Sequence, residues 1–333
     1  MKRFLAFVVF LVLGIVLFSN VMQAVGWSEV WSAIQEFWGG KGVLLFILTL
    51  LTLFLGALRW REVLRYQGYQ VPFSSLLKQY FAGFSLSFFF PMVLFGNELF
   101  RSYALLEFHK VPLPRAIVSV AVERFLDATT YLLFFVAGIA FLLVSKSIVI
   151  SSFFLWALLG AGALAIALAF FYFKSHRKES IVRMFFPRIA GTNGFFKMEQ
   201  ELLYFFRLRN RAFWEGLFLS FAKVSFTLLR TIVLVGLLGE FIGFFPAITI
   251  TGFSFLSLLI PTPGQLGIHE ALQIFVFQSL GLASHTGAAF AFVVRVVEIV
   301  VAVLGLMLFL HLGVSLLKRA VLSKAEHIFQ KLF

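Results

Sequence analysis

The sequence contains no cysteine, and charged residues make up only 13% of its 333 positions. The absence of cysteine excludes disulfides, thiolate metal ligands and catalysis by a thiolate. Soluble domains have about 25% charged and about 45–50% apolar residues. Here 61% of the residues are hydrophobic and the mean hydropathy is +0.99. This composition excludes a soluble domain and a secreted disulfide scaffold, and it indicates an integral membrane protein.

Acidic residues are also scarce, since 15 Asp and Glu stand against 28 Lys and Arg, for a net charge of +13. With so little polar surface, this charge is typical of cytoplasmic loops that face anionic lipid headgroups, and it does not indicate a nucleic-acid-binding protein. The sequence has no Gly-x-x-x-x-Gly-Lys-Ser/Thr loop and no His-x-x-x-His spacing. We therefore expect no nucleotide-dependent step and no metal or other cofactor.

Long apolar runs predict an all-α, polytopic membrane protein. A helix needs about 20 apolar residues to cross a bilayer. The first qualifying run follows Lys2 and Arg3, and we interpret it as an uncleaved helix because no small-x-small cleavage site follows it. The six predicted spanning helices are Phe4–Met22, Gly42–Trp60, Pro114–Val144, Ile148–Phe173, Phe213–Gly239 and Gly287–Gly313.

Two further hydrophobic regions, 74–106 and 243–281, are interrupted by proline and glycine. Their first arms are Ser75–Phe90 and Pro246–Ile260, each roughly 24 Å long as a helix. This is less than the bilayer thickness of about 30 Å, so the sequence predicts two re-entrant helical hairpins. The interruptions are Pro91 and Gly96 in the first region, and Pro261, Pro263, Gly264 and Gly267 in the second.

The basic residues predict the orientation. Lys2 and Arg3 place the amino terminus in the cytoplasm, and the loop 174–212 is strongly basic, so it is predicted on the same side. The segment 316–333 is amphipathic and basic, and we expect it to lie along the inner leaflet. Both termini are thus predicted on the cytoplasmic side of a plasma membrane, which requires each interrupted region to enter and leave on one side.

The two interrupted regions belong to an internal repeat. Glu98 follows the first break, and Arg124 with Asp127 comes 26 residues later; Glu270 follows the second break, and Arg295 with Glu298 comes 25 residues later. The predicted repeats are about 42–145 and 213–313, within one transmembrane domain and with opposite topology. Inverted repeats with broken helices are typical of secondary transporters.

Charged residues within the predicted spans are candidate site residues, because each costs about 2.5–3.5 kcal/mol at the membrane centre. The pairs Arg124/Asp127 and Arg295/Glu298 have i,i+3 spacing, and we expect each pair to share a helix face and neutralise itself. Such residues either hold the bundle together or use arginine to bind phosphate. Glu215, Lys223 and Arg230 form a stripe that is predicted to face the bundle.

At these residues the chain resembles the flippase-like transmembrane domain of the lysylphosphatidylglycerol synthetase family. Gln265 stands where that family has a glycine, and His269 where it has an arginine. No soluble aminoacyl-transferase domain follows, so we expect a stand-alone member without synthase activity. The matching motifs are Pro91…Gly96-Asn97-Glu98-x-x-Arg101, Glu123-Arg124-x-x-Asp127, and Pro261-Thr-Pro-Gly264-x-x-Gly267-x-His269-Glu270 followed by Arg295.

The resemblance implies movement of a lipid, such as an aminoacylated phosphatidylglycerol or a polyisoprenyl-linked glycolipid, between leaflets. We expect the arginines to hold phosphate, and Glu98 and Glu270 to contact a cationic headgroup or carry a proton. The predicted substrate-binding residues are Glu98, Arg101, Glu123, Arg124, Asp127, Arg230, Gly264, Gly267, His269, Glu270, Arg295 and Glu298.

Two alternatives remain open at the level of sequence. The first is an intramembrane transferase that acts on a lipid-linked substrate with a metal ion between Glu123 and Asp127. The second is an accessory subunit that scaffolds a lipid-synthesis enzyme. The expected partners are therefore a membrane lipid with an anionic headgroup, a second copy of the chain, or such an enzyme.

Overall fold

The computed structural model describes residues 39–90, 96–145, 152–177, 179–185, 193–259, 265 and 267–332. Within these ranges all regular secondary structure is helical. The helices are α1 Gly40–Tyr66, α2 Phe73–Phe89, α3 Gly96–His109, α4 Leu113–Val144, α5 Ser152–Arg177, α6 Ile181–Phe185, α7 Asn193–Phe205, α8 Arg211–Leu237, α9 Phe244–Leu259, α10 Ile268–Ser279 and α11 Ser284–Leu332.

Five of these helices contain stretches that are long and apolar enough to cross a membrane, which confirms five of the six predicted spans. The predicted span Phe4–Met22, with Lys2 and Arg3, lies outside the described residues. α11 continues to Leu332, so the segment 316–332 extends the last span as helix. The crossing stretches are Gly40–Tyr66, Leu113–Val144, Leu158–Arg177, Arg211–Leu237 and Ser284–Leu316.

The two interrupted regions form pairs of short helices, as predicted. α2 has 17 residues and α9 has 16, which gives lengths of roughly 26 and 24 Å. The arms are linked by side chains, because Asn97 Nδ2 donates to Ser87 Oγ at 2.9 Å in the first pair, and Gln273 Nε2 donates to Ser254 Oγ at 2.6 Å in the second. The tips, with Pro91, Pro261, Pro263 and Gly264, lie outside the described residues.

The two halves of the bundle interlock through their hairpins. α2 packs along α11, and α9 packs along α4, so each first arm lies against the last long helix of the other half. A Cβ atom on Gly305 of α11 would lie 2.3 Å from the carbonyl oxygen of Phe81 on α2, and one on Gly252 of α9 would lie 2.8 Å from that of Phe134 on α4. Gly252 follows Phe81 by 171 residues, and Gly305 follows Phe134 by 171. The same close helix contact therefore occurs twice. The glycine lies on the long helix α11 in one contact and on the hairpin helix α9 in the other.

These close contacts predict a measurable loss of stability. We expect Gly305→Ala and Gly252→Ala each to lower the free energy of unfolding by about 1–3 kcal/mol, because the new methyl group must push a backbone carbonyl away. Gly162→Ala on α5 is the matched control, since nothing lies within 4 Å of its Cβ position. Thermal unfolding in detergent micelles would measure the difference. Equal midpoints for Gly305→Ala and Gly162→Ala would contradict this packing.

Candidate functional site

Arg59 lies at the centre of a buried polar cluster that joins α1, α4 and α8. Its side chain is fully buried; Nη1 donates to Asp127 Oδ1 at 2.8 Å and to Ser220 Oγ at 2.7 Å, and Nη2 donates to Asp127 Oδ2 at 3.0 Å. The predicted second span, Gly42–Trp60, put Arg59 at its very end, where the membrane edge was expected. α1 continues to Tyr66, so Arg59 lies about two turns inside the helix.

Three more side chains complete this group, which we call the Arg59 cluster: Arg59, Arg101, Glu123, Asp127 and Lys223. Lys223 Nζ donates to Asp127 Oδ1 at 3.0 Å, and Arg101 donates to Glu123, whose side chain is 2% exposed. The guanidinium of Arg101 also lies over the ring of Trp60, 3.8 Å from its centre. Three cations thus surround two carboxylates in the interior of the bundle, with one positive charge in excess.

A second, smaller cluster repeats this geometry in the other half of the bundle. Arg230 Nη1 lies 3.6 Å from the carboxylate of Glu298 on α11 and donates to Thr49 Oγ1 on α1 at 3.1 Å. Ser220 and Thr49 play the same part, because each hydroxyl donates to the carbonyl four residues back and accepts from an arginine of the facing helix. Arg59 therefore binds α8 and α4, while Arg230 binds α1 and α11.

The matched residues are separated by a constant distance along the chain. Four of the five matched polar residues in the second half follow their counterparts by 171 positions. The hairpin carboxylates are 172 positions apart. The counterparts are Thr49 and Ser220, Arg59 and Arg230, Glu98 and Glu270, Arg124 and Arg295, and Asp127 and Glu298. The contacts support the predicted repeat, and its boundaries at about 42–145 and 213–313 stay a prediction.

The two hairpin carboxylates each bind an arginine of the following long helix. Arg124 Nε donates to Glu98 at 2.6 Å, and Arg295 Nη2 lies 2.7 Å from the carboxylate of Glu270 as an ion pair. The side chain of Arg124 is 48% exposed, whereas that of Arg295 is 2% exposed. Glu270 also accepts from the backbone N–H of Gly267 at 2.9 Å, which fixes the start of α10.

The ion pairs expected within single helices are therefore not the ones that form. Arg124 and Asp127 share α4, yet Arg124 binds the hairpin and Asp127 binds α1 and α8; Arg295 and Glu298 separate in the same way on α11. The reason is that neighbouring helices bring opposite charges directly opposite these side chains. Glu215 differs from the predicted stripe too, since it is 46% exposed and pairs with Arg211 at 2.7 Å.

Buried hydrogen-bond donors collect around the second hairpin. Arg295 Nη2 donates to the carbonyl oxygen of Gln265 at 3.1 Å, but its Nε and Nη1 have no partner among the described residues, and neither does His269 Nε2. Gln265 has a φ of +56° and Gly267 a φ of +78°. This left-handed backbone suits glycine best, which explains why the resembling family has a glycine where this chain has Gln265.

The structure describes the position of every predicted site residue except Gly264, which lies outside the described residues. Sequence analysis missed Arg59, together with the matched hydroxyls of Thr49 and Ser220. Glu123 and Asp127 are both bound by cationic side chains, so a metal ion between them would compete with those cations. In the described ranges, no three His, Asp or Glu side chains gather as a metal site.

Residues 3–305 match the sequence profile of a family described as the lysylphosphatidylglycerol synthase TM region. Among curated proteins, the chain is similar to the UPF0104 membrane protein MJ1595 of Methanocaldococcus jannaschii. The two are 24% identical over 297 residues, which cover 85% of this chain and 86% of the relative. No solved structure matches the chain.

Proposed function

Because the chain belongs to the lysylphosphatidylglycerol synthase TM-region family, we propose that it is a lipid translocase and not an enzyme. The substrate is an anionic or modified phospholipid, or a polyisoprenyl-linked glycolipid. Its headgroup crosses between the leaflets through a polar pathway at the hairpin tips, while the acyl chains stay in the bilayer.

The observation that carries this proposal is the matched set of ion pairs in the two halves. Arg59 pairs with Asp127 inside the first half and donates to Ser220 of the second half, whereas Arg230 pairs with Glu298 inside the second half and donates to Thr49 of the first. Buried ion pairs add little stability over apolar packing, because their desolvation costs about as much as their attraction returns. Their presence twice, in related positions, supports a role in switching between two arrangements of the halves.

The arginines beside the hairpins suit a phosphate group. Arg124 keeps nearly half of its surface accessible while bound to Glu98, so an incoming anion has room to approach it. Arg295 offers two buried nitrogen donors that lack acceptors in the described part of the chain. Arginine binds phosphate through several parallel hydrogen bonds, and these gain strength when water is excluded.

The proposal also includes a location in the cell membrane with both termini in the cytoplasm. The ends of α1, α5 and α7 and the start of α4 gather at one end of the bundle, which we call the basic end. Its basic side chains include Arg61, Arg65, Arg115, Lys174 and Arg207, and such enrichment favours the cytoplasmic side.

Leaflet exchange in proteoliposomes tests the translocase directly. Fluorescent phosphatidylglycerol, phosphatidylethanolamine, phosphatidylcholine and a polyprenyl phosphate would be compared, with outer-leaflet label destroyed by a membrane-impermeant quencher. We expect exchange of the anionic lipids well above the rate in protein-free vesicles, because the cationic side chains near the hairpins select a phosphate headgroup. The absence of exchange for every lipid, with folded protein, would overturn the translocase and direct attention to the scaffolding of a lipid-synthesis enzyme.

A further inference from the structure

A cavity of about 660 Å³ lies at the basic end, between α7 and the ends of α1 and α4. Its volume is within the range of small-ligand sites, about 300–1,000 Å³. None of the hairpin helices α2, α3, α9 and α10 contributes to its lining. Polar side chains from four parts of the chain line it, namely Tyr66, Arg115, Lys197, Glu201, Tyr204 and Arg207.

The wall of this cavity is a fixed structure, although the sequence predicted only a basic loop over 174–212. Glu199 of α7 is 9% exposed and accepts from the backbone N–H groups of Ile181 and Val182 at 2.6 and 2.8 Å, so it caps the start of α6. Ser175 Oγ donates to the carbonyl oxygen of Leu203 at 2.6 Å, which ties α7 to the end of α5. These hydrogen bonds therefore attach α7 to both α6 and α5.

The cavity carries an excess of positive charge. Arg115 lies 3.5 Å from Glu201, the single carboxylate in its lining. Lys197 and Arg207 have no carboxylate within ion-pair distance among the described residues. Arg207 lies over the ring of Tyr204, 4.3 Å from its centre, and its Nε is buried without a hydrogen-bond partner in the same part of the chain. Three cations against one anion favour a negatively charged occupant.

Apart from Gln67 and Gln200, the rest of the lining is apolar, and the cavity sits at the level of the helix ends. Val118, Val122, Leu203 and Phe205 form its apolar side. α1 ends at Tyr66, and tyrosines are enriched at the boundary between lipid and water. An occupant with a charged group and an apolar part, positioned at headgroup depth, fits both sides of the lining.

We propose that this cavity binds the headgroup phosphate of an anionic membrane lipid, at a site to which none of the hairpin helices contributes. The phosphate accepts hydrogen bonds from Lys197 and Arg207, and the glycerol and first methylene groups lie against the exposed rings of Tyr66 and Tyr204.

Equilibrium binding to the purified full chain tests this site, with short-chain dihexanoyl phosphatidylglycerol as the probe in isothermal titration calorimetry. We expect Lys197→Gln with Arg207→Gln to raise the Kd roughly tenfold or more, because two charge-assisted hydrogen bonds are lost. Arg209→Gln is the control. It removes one positive charge from an exposed position that lies two residues after Arg207 and outside the lining. If the double variant does not fold, the single variant Lys197→Gln replaces it, because Lys197 is exposed. This variant should also raise the Kd.

Two further probes identify the source of the phosphate. Glycerol 3-phosphate lacks acyl chains, so we expect it to bind more weakly than the lipid; equal affinity would overturn the lipid assignment in favour of a soluble anion. Short-chain phosphatidylcholine, which has no net charge, should also bind more weakly. A double variant that binds as tightly as Arg209→Gln would overturn the site itself. This binding experiment does not depend on transport. Protein that shows no leaflet exchange can still bind the lipid at this site, so the two proposals can fail separately.

Discussion

Replacing Arg59 by methionine is expected to lower the free energy of unfolding by about 3–5 kcal/mol. This is the cost of removing one partner from a buried ion-pair network, because Asp127 loses two charge-assisted hydrogen bonds and Ser220 loses its donor. Arg59 is fully buried and contacts both Asp127 and Glu123, so its loss leaves Lys223 and Arg101 to neutralise them alone. Methionine keeps an unbranched stem and removes the guanidinium with its charge, its hydrogen bonds and its volume.

Arg61→Met provides the control for this experiment. Arg61 lies on the same helix, is 26% exposed and pairs with its neighbour Glu62, and exposed pairs contribute only about 0–1 kcal/mol. Chemical unfolding in detergent micelles would compare the two variants. The combination of Arg59→Met with Asp127→Asn should cost less than the sum of the two single substitutions, because the two side chains contact each other directly. Equal stability of Arg59→Met and Arg61→Met would show that the cluster does not hold the helices together.

Arg59 also shows where local sequence rules fail. Three arginines follow one another at 59, 61 and 65, and such a group normally marks the membrane edge, so local rules place the end of the span at Trp60. The first of the three is instead neutralised by Asp127, which lies 68 residues later. The repeat itself contained the signal, since Arg230 follows Arg59 by 171 residues, as Arg295 follows Arg124.

The spans were predictable because an apolar run of about 20 residues rarely forms anything except a membrane-crossing helix. The hairpins were predictable because proline and glycine interrupt two of the apolar runs. Ion-pair partners were not predictable in the same way. An i,i+3 spacing shows that Arg124 and Asp127 share a face of α4, but the partner of each is decided by which helix lies opposite. The folded wall over 174–212 was missed because its key contact, Glu199 with Ile181 and Val182, is a carboxylate cap that has no charge partner in the sequence.

The two halves are related but unequal. Arg101 and Glu123 of the Arg59 cluster have Gln273 and Val294 at the matched positions of the second half. Gln273 donates to Ser254 and carries no charge, so the second cluster contains only Arg230 and Glu298. The first half therefore has the stronger network of charges, and separating its helices costs more. We expect the helices around Arg230 to separate first when the protein changes conformation.

The largest effect on activity is expected from Glu270→Gln and Glu98→Gln. Each carboxylate begins the second arm of a hairpin and binds an arginine on the next long helix, and glutamine keeps its shape while removing the charge. Without that charge the arginine has no counter-ion when the site is empty, so it holds the phosphate of a substrate and does not release it. We expect leaflet exchange to fall to the rate of protein-free vesicles in either variant.

The folded state should survive both substitutions, because Glu98 and Glu270 keep 25% and 28% of their side-chain surface exposed, and water compensates part of the lost attraction. Glu215→Gln is the matched control: it neutralises a glutamate at an exposed pair on α8, away from the hairpins, and should exchange lipid at the wild-type rate. Unfolding midpoints recorded on the same samples separate lost transport from lost structure. Wild-type exchange in both hairpin variants would remove these glutamates from the translocation pathway, and the matched arginine pairs would then serve only to hold the two halves together.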